Sequence, residues 1–81
     1  NRPTKLKFTF KEQKEFDTID DDIAALEEKI ENLEAEMEKN ASQYTKLSEL
    51  SKAKEEAEKE LEYKMDRWVY LNDLAEKIAN Q

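Results

Sequence analysis

The stretch Phe16-Asp17-Thr18-Ile19-Asp20-Asp21-Asp22-Ile23-Ala24-Ala25-Leu26-Glu27-Glu28-Lys29-Ile30-Glu31-Asn32-Leu33-Glu34-Ala35-Glu36-Met37 decides the fold. Phe16, Ile23, Ile30 and Met37 recur every seven residues. Ile19, Leu26 and Leu33 form a second series offset by three. Alternating steps of three and four put all seven on one stripe of an α-helix, the seam of a coiled coil. Acidic side chains fill most of the remaining positions, so the helix is wet on every other face.

Downstream, Asn40-Ala41-Ser42-Gln43 interrupts the stripe. Asn40 and Ser42 are both good helix N-caps. A second stripe follows: Leu47, Leu50, Lys54, Ala57, Leu61, Met65, Trp68, Leu71, Ala75 and Ile78. It slips by one residue around Met65 and so departs from a strict heptad. A connection of a few residues forces neighbouring helices to run antiparallel. With a turn centred near Ser42, partners should have numbers summing to about 84 under antiparallel pairing. Phe16 then faces Trp68, Ile19 faces Met65, Ile23 faces Leu61 and Met37 faces Leu47. Ile30 faces Lys54, whose stem can pack while its ammonium reaches water. The competing arrangement is a parallel dimer of one long helix. The interruption at Asn40 and the change of register argue against it.

Upstream, the period changes from 3.5 to two. Leu6, Phe8 and Phe10 alternate with Lys5, Lys7, Thr9 and Lys11, which reads as an extended segment with one face covered. Thr9-Phe10-Lys11-Glu12 fits the Ser/Thr-x-x-Glu capping box and marks the helix start. Beyond Phe16 the first helix offers no apolar partner to Leu71, Leu74, Ala75 and Ile78, so the extended segment is the expected cover. The expected fold class is all-α: a two-helix antiparallel coiled-coil hairpin with a short extended N-terminal segment packed on its open end. Expected boundaries are a linker remnant at 1–5, an extended segment at 6–9, helices at 10–39 and 44–79, and a turn at 40–43. The expected core is Phe8, Phe10, Phe16, Ile19, Ile23, Leu26, Ile30, Leu33, Met37, Leu47, Leu50, Ala57, Leu61, Met65, Trp68, Leu71 and Ile78.

Composition excludes most chemistry. The 81 residues contain no His, no Cys, no Gly and one Pro. Zinc-finger ligation, thiol nucleophiles and His-based dyads are ruled out. Gly-rich phosphate loops are ruled out as well. Charged residues reach 43% against 37% hydrophobic, the profile of long helices rather than of a layered globule. No run of about 18 apolar residues offers a membrane span. The chain opens at Asn1 with Arg2-Pro3-Thr4, which reads as the tail of a linker and the chain as a fragment.

The net charge of −7 is unevenly spread. Residues 1–14 carry +4, residues 15–40 carry −9 and residues 41–81 carry −2. An acidic chain with one basic end suggests one-sided, salt-sensitive attraction to phosphate. The candidate nucleic-acid contacts are Lys5, Lys7, Lys11 and Lys14 at the open end, Arg67 beside them, and Lys52 and Lys59 on the outer face of the second helix. Asp20-Asp21-Asp22 and Glu27-Glu28 fan outward on a helix and read as a solvated face rather than a cation site. Asn40-Ala41-Ser42 matches a glycosylation sequon, for which a turn is the simpler account.

Lys7-Phe8-Thr9-Phe10-Lys11-Glu12-Gln13-Lys14-Glu15-Phe16 resembles the opening of the C-terminal domain of ABC-F ATPases of the Uup-type subgroup. Members begin with a Lys-Leu-Ser/Thr-Tyr-Lys-Glu-Gln-Arg-Glu-Leu run. Asp66-Arg67-Trp68-Val69-Tyr70-Leu71 resembles the closing Arg-Trp-x-x-Leu of that family. The turn here lacks the Asp-Pro common in the family, and Val69-Tyr70 stands where acidic residues are usual. The resemblance implies a parent protein with two upstream ATP-binding cassettes, which would hold all the ATP and Mg and perform hydrolysis, leaving this fragment non-catalytic and without a cofactor. It implies a cytoplasmic protein associated with the ribosome and translation, and a C-terminal hairpin associated with DNA. Expected partners are therefore DNA or ribosomal RNA, bound weakly, with the ribosome and the chain's own cassettes as further ones. No membrane partner is expected, and the hairpin is expected to be monomeric. A protein-interaction or regulatory coiled coil is the alternative reading.

Overall fold

The structure is a computed structural model, and it describes residues 5–81. Most of the expected linker, residues 1–4, lies outside the described residues. Helix α1 spans Phe10–Lys39 and helix α2 spans Tyr44–Ala79. They pack side by side as an antiparallel hairpin in a rod of 68 × 16 × 16 Å, in keeping with about 45 and 54 Å of helix at 1.5 Å per residue. No strand occurs among the described residues.

Both ends of α1 form for local reasons. Thr9 has extended backbone, and its hydroxyl accepts from the Glu12 amide at 3.1 Å. The Glu12 carboxylate accepts from the Thr9 amide at 2.9 Å, completing the capping box. The box satisfies two amides that a helix start would otherwise leave bare. At the other end Asn40 is a C-cap, not the N-cap expected from its side chain. Its amide nitrogen turns back to donate to the Glu36 carbonyl at 2.8 Å. Gln43 precedes α2 without any side-chain cap, so Ser42 does not fill that role either. The Gln43 amide instead closes the turn on the Asn40 carbonyl at 2.9 Å. No described residue has positive φ, so this turn needs no glycine.

Cross-hairpin pairs confirm the antiparallel register. Their numbers sum to between 82, for Glu15 with Arg67 and Glu12 with Tyr70, and 88, for Glu34 with Lys54. The α1 stripe packs as a strict heptad: Ile19 and Leu26 are buried, and Phe16, Ile23, Ile30, Leu33 and Met37 are half-buried. On α2, Ala57 and Leu71 are buried, and Leu47, Leu50, Lys54, Leu61, Ala75 and Ile78 are half-buried.

The expected slip at Met65 does not occur. The heptad continues through Lys64, whose side chain is only 24% exposed and whose ammonium reaches the Asp22 carboxylate at 3.2 Å. Met65 stands outside the seam at 52% exposure, so it is not the partner of Ile19. A lysine stem is apolar enough to line the seam while its charge leaves it. Lys54 does the same, pairing with Glu34 at 3.2 Å.

Two further expected core residues are exposed. Trp68 keeps its heptad position but tilts to the flank, 41% exposed, where its indole Nε1 donates to Asp20 at 2.8 Å. Phe10, in the first turn of α1, is 80% exposed. Of the extended segment, Phe8 is the residue that packs: it stacks on Phe16 with ring centroids 5.0 Å apart. Leu6 stays exposed, yet its backbone is held. The Gln81 side-chain amide accepts from the Leu6 amide at 2.7 Å and donates to the Leu6 carbonyl at 2.6 Å. This two-bond clip ties the segment to the end of α2 and packs it on the open end.

These positions differ sharply in expected sensitivity. Leu71→Ala should lose about 2–5 kcal/mol, as for other buried leucine truncations. Phe10→Ala should stay within about 0.5 kcal/mol, as for an exposed site. Denaturant unfolding followed by circular dichroism separates the two; equal losses would contradict the burial pattern.

Candidate nucleic-acid interface

The open end gathers the charged side chains of interest. Lys5 and Lys7 lie on the extended segment, and Lys11 and Lys14 on the first two turns of α1; all four are exposed. Lys14 sits over the Phe10 ring with its ammonium 5.6 Å from the centroid. None of the four forms an ion pair with a carboxylate among the described residues.

The carboxylates of Glu12 and Glu15 make other bonds. Glu12 accepts from the Thr9 amide with one oxygen and from the Tyr70 hydroxyl, at 2.8 Å, with the other. Glu15 receives both arms of the Arg67 guanidinium, at 2.8 and 2.7 Å. This two-pronged geometry is the strong form of a charge-assisted hydrogen bond. Arg67 also stands 4.8 Å from the centroid of the Tyr70 ring. Glu12, Glu15 and Arg67 line an open cleft of about 530 Å³ between the helices, with Thr9, Lys11, Tyr63 and Lys64.

The titration behaviour follows these bonds. The Thr9 amide, and after it the Tyr70 hydroxyl, hold the Glu12 carboxyl below the usual carboxylate range. The Arg67 hydrogen bonds do the same for Glu15. In return the Glu15 carboxylate pushes the Arg67 guanidinium up. Bonding to the Glu12 carboxylate pushes the Tyr70 phenol up.

Of the seven candidate contacts, the structure brings four together. Arg67 is near them but committed to Glu15. Lys59 lies on the shaft and faces Glu55 at 3.9 Å one turn away. Lys52 is exposed still nearer the turn. At 1.5 Å per residue, Lys59 and Lys52 sit roughly 25 and 35 Å from the open end. The sequence reading missed Phe10 as a surface residue. Its place between Lys7, Lys11 and Lys14 was the available signal, since an apolar residue flanked by lysines at a helix start need not face inward.

The fold and its charge distribution define a two-helix rod with a basic end. Residues 7–73 match the model of the ABC transporter C-terminal domain family, and the chain belongs to that family. It is 42% identical over 74 residues to a Bacillus subtilis (strain 168) protein bearing the name "uncharacterized ABC transporter ATP-binding protein YfmR". That match covers 91% of this chain and 12% of the relative, so the chain spans about an eighth of the relative's length. No solved structure matches the chain. No helix among the described residues is long and apolar enough to cross a membrane.

The lowered carboxyls make a pH prediction with a defined sign. A carboxyl held below its ordinary value of 4.5 stabilises the fold fully above that pH and loses the contribution as pH falls through the lowered value. The thermal unfolding temperature should therefore fall on acidification below about 4.5. Glu15→Gln should start less stable and lose less on the way down. Parallel acid limbs for the two proteins would rule out a stabilising Glu15–Arg67 bond.

Proposed function

We propose that this C-terminal domain docks the ATPase that carries it onto nucleic acid through the basic open end. The observation that supports this reading is four exposed lysines on the extended segment and the first two turns of α1, none in an ion pair among the described residues, with an exposed phenylalanine beneath the Lys14 ammonium. Lys5, Lys7, Lys11 and Lys14 make salt-dependent contacts to phosphates. Phe10 stacks on an unpaired base, a sequence-tolerant contact open to any nucleotide. No base edge is read. The acidic shaft points away and gives the rod a single productive end.

On this reading the full-length protein is a cytoplasmic ABC-F ATPase that works on DNA or ribosomal RNA. Its cassettes would hold ATP and Mg and carry out hydrolysis, and the ribosome would be a natural site of action. The relative's name as an ATP-binding protein, and the family's place at the C-terminus of ABC transporters, support that placement. Lys52, Lys59 and Arg67 are left out of the contact set, for the pairing and distance given above.

The test is a titration of the domain against labelled single-stranded DNA, duplex DNA and ribosomal RNA fragments. Expected dissociation constants fall at about 10⁻⁴–10⁻⁶ M near physiological salt, the level of non-specific binding, and tighten at low salt. Joint substitution Lys7→Glu, Lys11→Glu and Lys14→Glu should abolish binding. Phe10→Ala should weaken single-strand binding by about tenfold, in line with the stacking energy of one base, and leave duplex binding unchanged. Binding indifferent to salt and to the lysine substitutions would refute the proposal.

A further inference from the structure

The opposite flank of the open half carries a second surface with different chemistry. Ile23, Met65, Trp68 and Val69 line an apolar groove of about 490 Å³, rimmed by Asp20 and Asp66. Met65, Trp68 and Val69 are all exposed. In this part of α2 the usual assignment is inverted: Lys64 lines the seam, and its apolar neighbours Met65 and Val69 face water. Contiguous exposed apolar side chains on a small soluble protein mark an interaction site. Trp68 is also held in place, since its Nε1 donates to Asp20 at 2.8 Å. A fixed tryptophan in a groove is the type of side chain that dominates binding energy, and holding it beforehand lowers the ordering cost of association.

The rim decides the occupant. The two charged groups that line the groove are carboxylates, and no cation lines it. Nucleic acid and anionic lipid headgroups are repelled by such a rim. A polypeptide carrying apolar side chains between lysines or arginines satisfies both the groove and the rim. We propose that the Met65–Trp68–Val69 groove is a protein-docking site for a basic amphipathic helix, whose apolar residues enter between α1 and α2 while its cations meet Asp20 and Asp66. This is the helix-in-groove mode, with anchors one turn apart. The groove shares no lining residue with the four lysines of the basic end.

Trp68 is the one tryptophan of the chain, so its fluorescence reports on this groove alone. The probe is a synthetic helical peptide of leucine and lysine, with a leucine and glutamate peptide as its counterpart. The Leu/Lys peptide should shift Trp68 emission to the blue, saturating at one peptide per chain within ~100 µM, the range of a single small anchor site. The Leu/Glu peptide should leave emission unchanged. Asp66→Lys and Met65→Ser should each weaken the association about tenfold, as loss of a charge partner or an anchor does. Glu28→Lys, an equal charge change on the shaft, should leave it within about twofold, since remote exposed charges are screened. Circular dichroism checks that each variant stays helical. Three results overturn the proposal: no shift, equal weakening by Glu28→Lys and Asp66→Lys, or a shift produced by raising the domain's own concentration or by oligonucleotide instead.

Discussion

Two helices can bury only the strip along which they touch, and every other feature of this domain follows from that limit. The accessible surface is 6694 Å², where a compact monomer of 9.6 kDa would expose about 5,100 Å². Ile19, Leu26, Ala57 and Leu71 are the buried hydrophobic residues among those described. The strip is too narrow to be lined by apolar residues alone without exposing their edges. Half-buried charge pairs close those edges instead: Glu15 with Arg67, Asp22 with Lys64 and Glu34 with Lys54. Isolated exposed pairs of this kind contribute little. Here each joins α1 to α2, and the two lysine stems serve as hydrocarbon in the seam as well as charge outside it.

That double use of lysine is where the sequence reading parted from the structure. The heptad on α1, the antiparallel pairing, the helix boundaries and the Thr9 capping box were all legible, because each depends on spacing and local hydrogen bonding. The choice between Lys64 and Met65 was not. Hydropathy favours methionine, whereas position on the helix favours lysine, and position prevails because the stem of Lys64 fills the seam while Asp22 receives its charge. Trp68 has the right position and still tilts outward, because its indole nitrogen has to find an acceptor and Asp20 supplies one. Asn40 suits either end of a helix, and the choice rested on the backbone of the turn.

The candidate interface was half legible. Charge counting located the basic end, since Lys5, Lys7, Lys11 and Lys14 lie close together in sequence. It could not foresee that Arg67 belongs to Glu15, because that bond spans 52 residues and depends on the register of the hairpin. Arg67 holds Glu15, and Thr9 and Tyr70 hold Glu12, so both carboxylates have fixed partners within the hairpin. Arg67, expected as a phosphate contact, instead joins α2 to α1 through Glu15.

One geometric fact then divides the molecule's surfaces. At 3.6 residues per turn, Tyr63, Arg67 and Tyr70 fall on one side of α2, and Met65, Trp68 and Val69 on the other. The first side closes over Glu12 and Glu15, and the lysines of the extended segment and the start of α1 form no ion pair among the described residues. The second leaves apolar groups under a rim of aspartates. Net charge conceals this, because −7 averages over a rod 68 Å long. Electrostatic influence between exposed groups fades over about 8 Å at physiological ionic strength. Carboxylates farther along the shaft, such as Glu34 about 30 Å from Lys14 at 1.5 Å per residue, are therefore too distant to cancel the basic end. A rod with this spacing can present an anion-seeking end and a cation-seeking flank at the same time, which a compact domain of equal size could not keep apart.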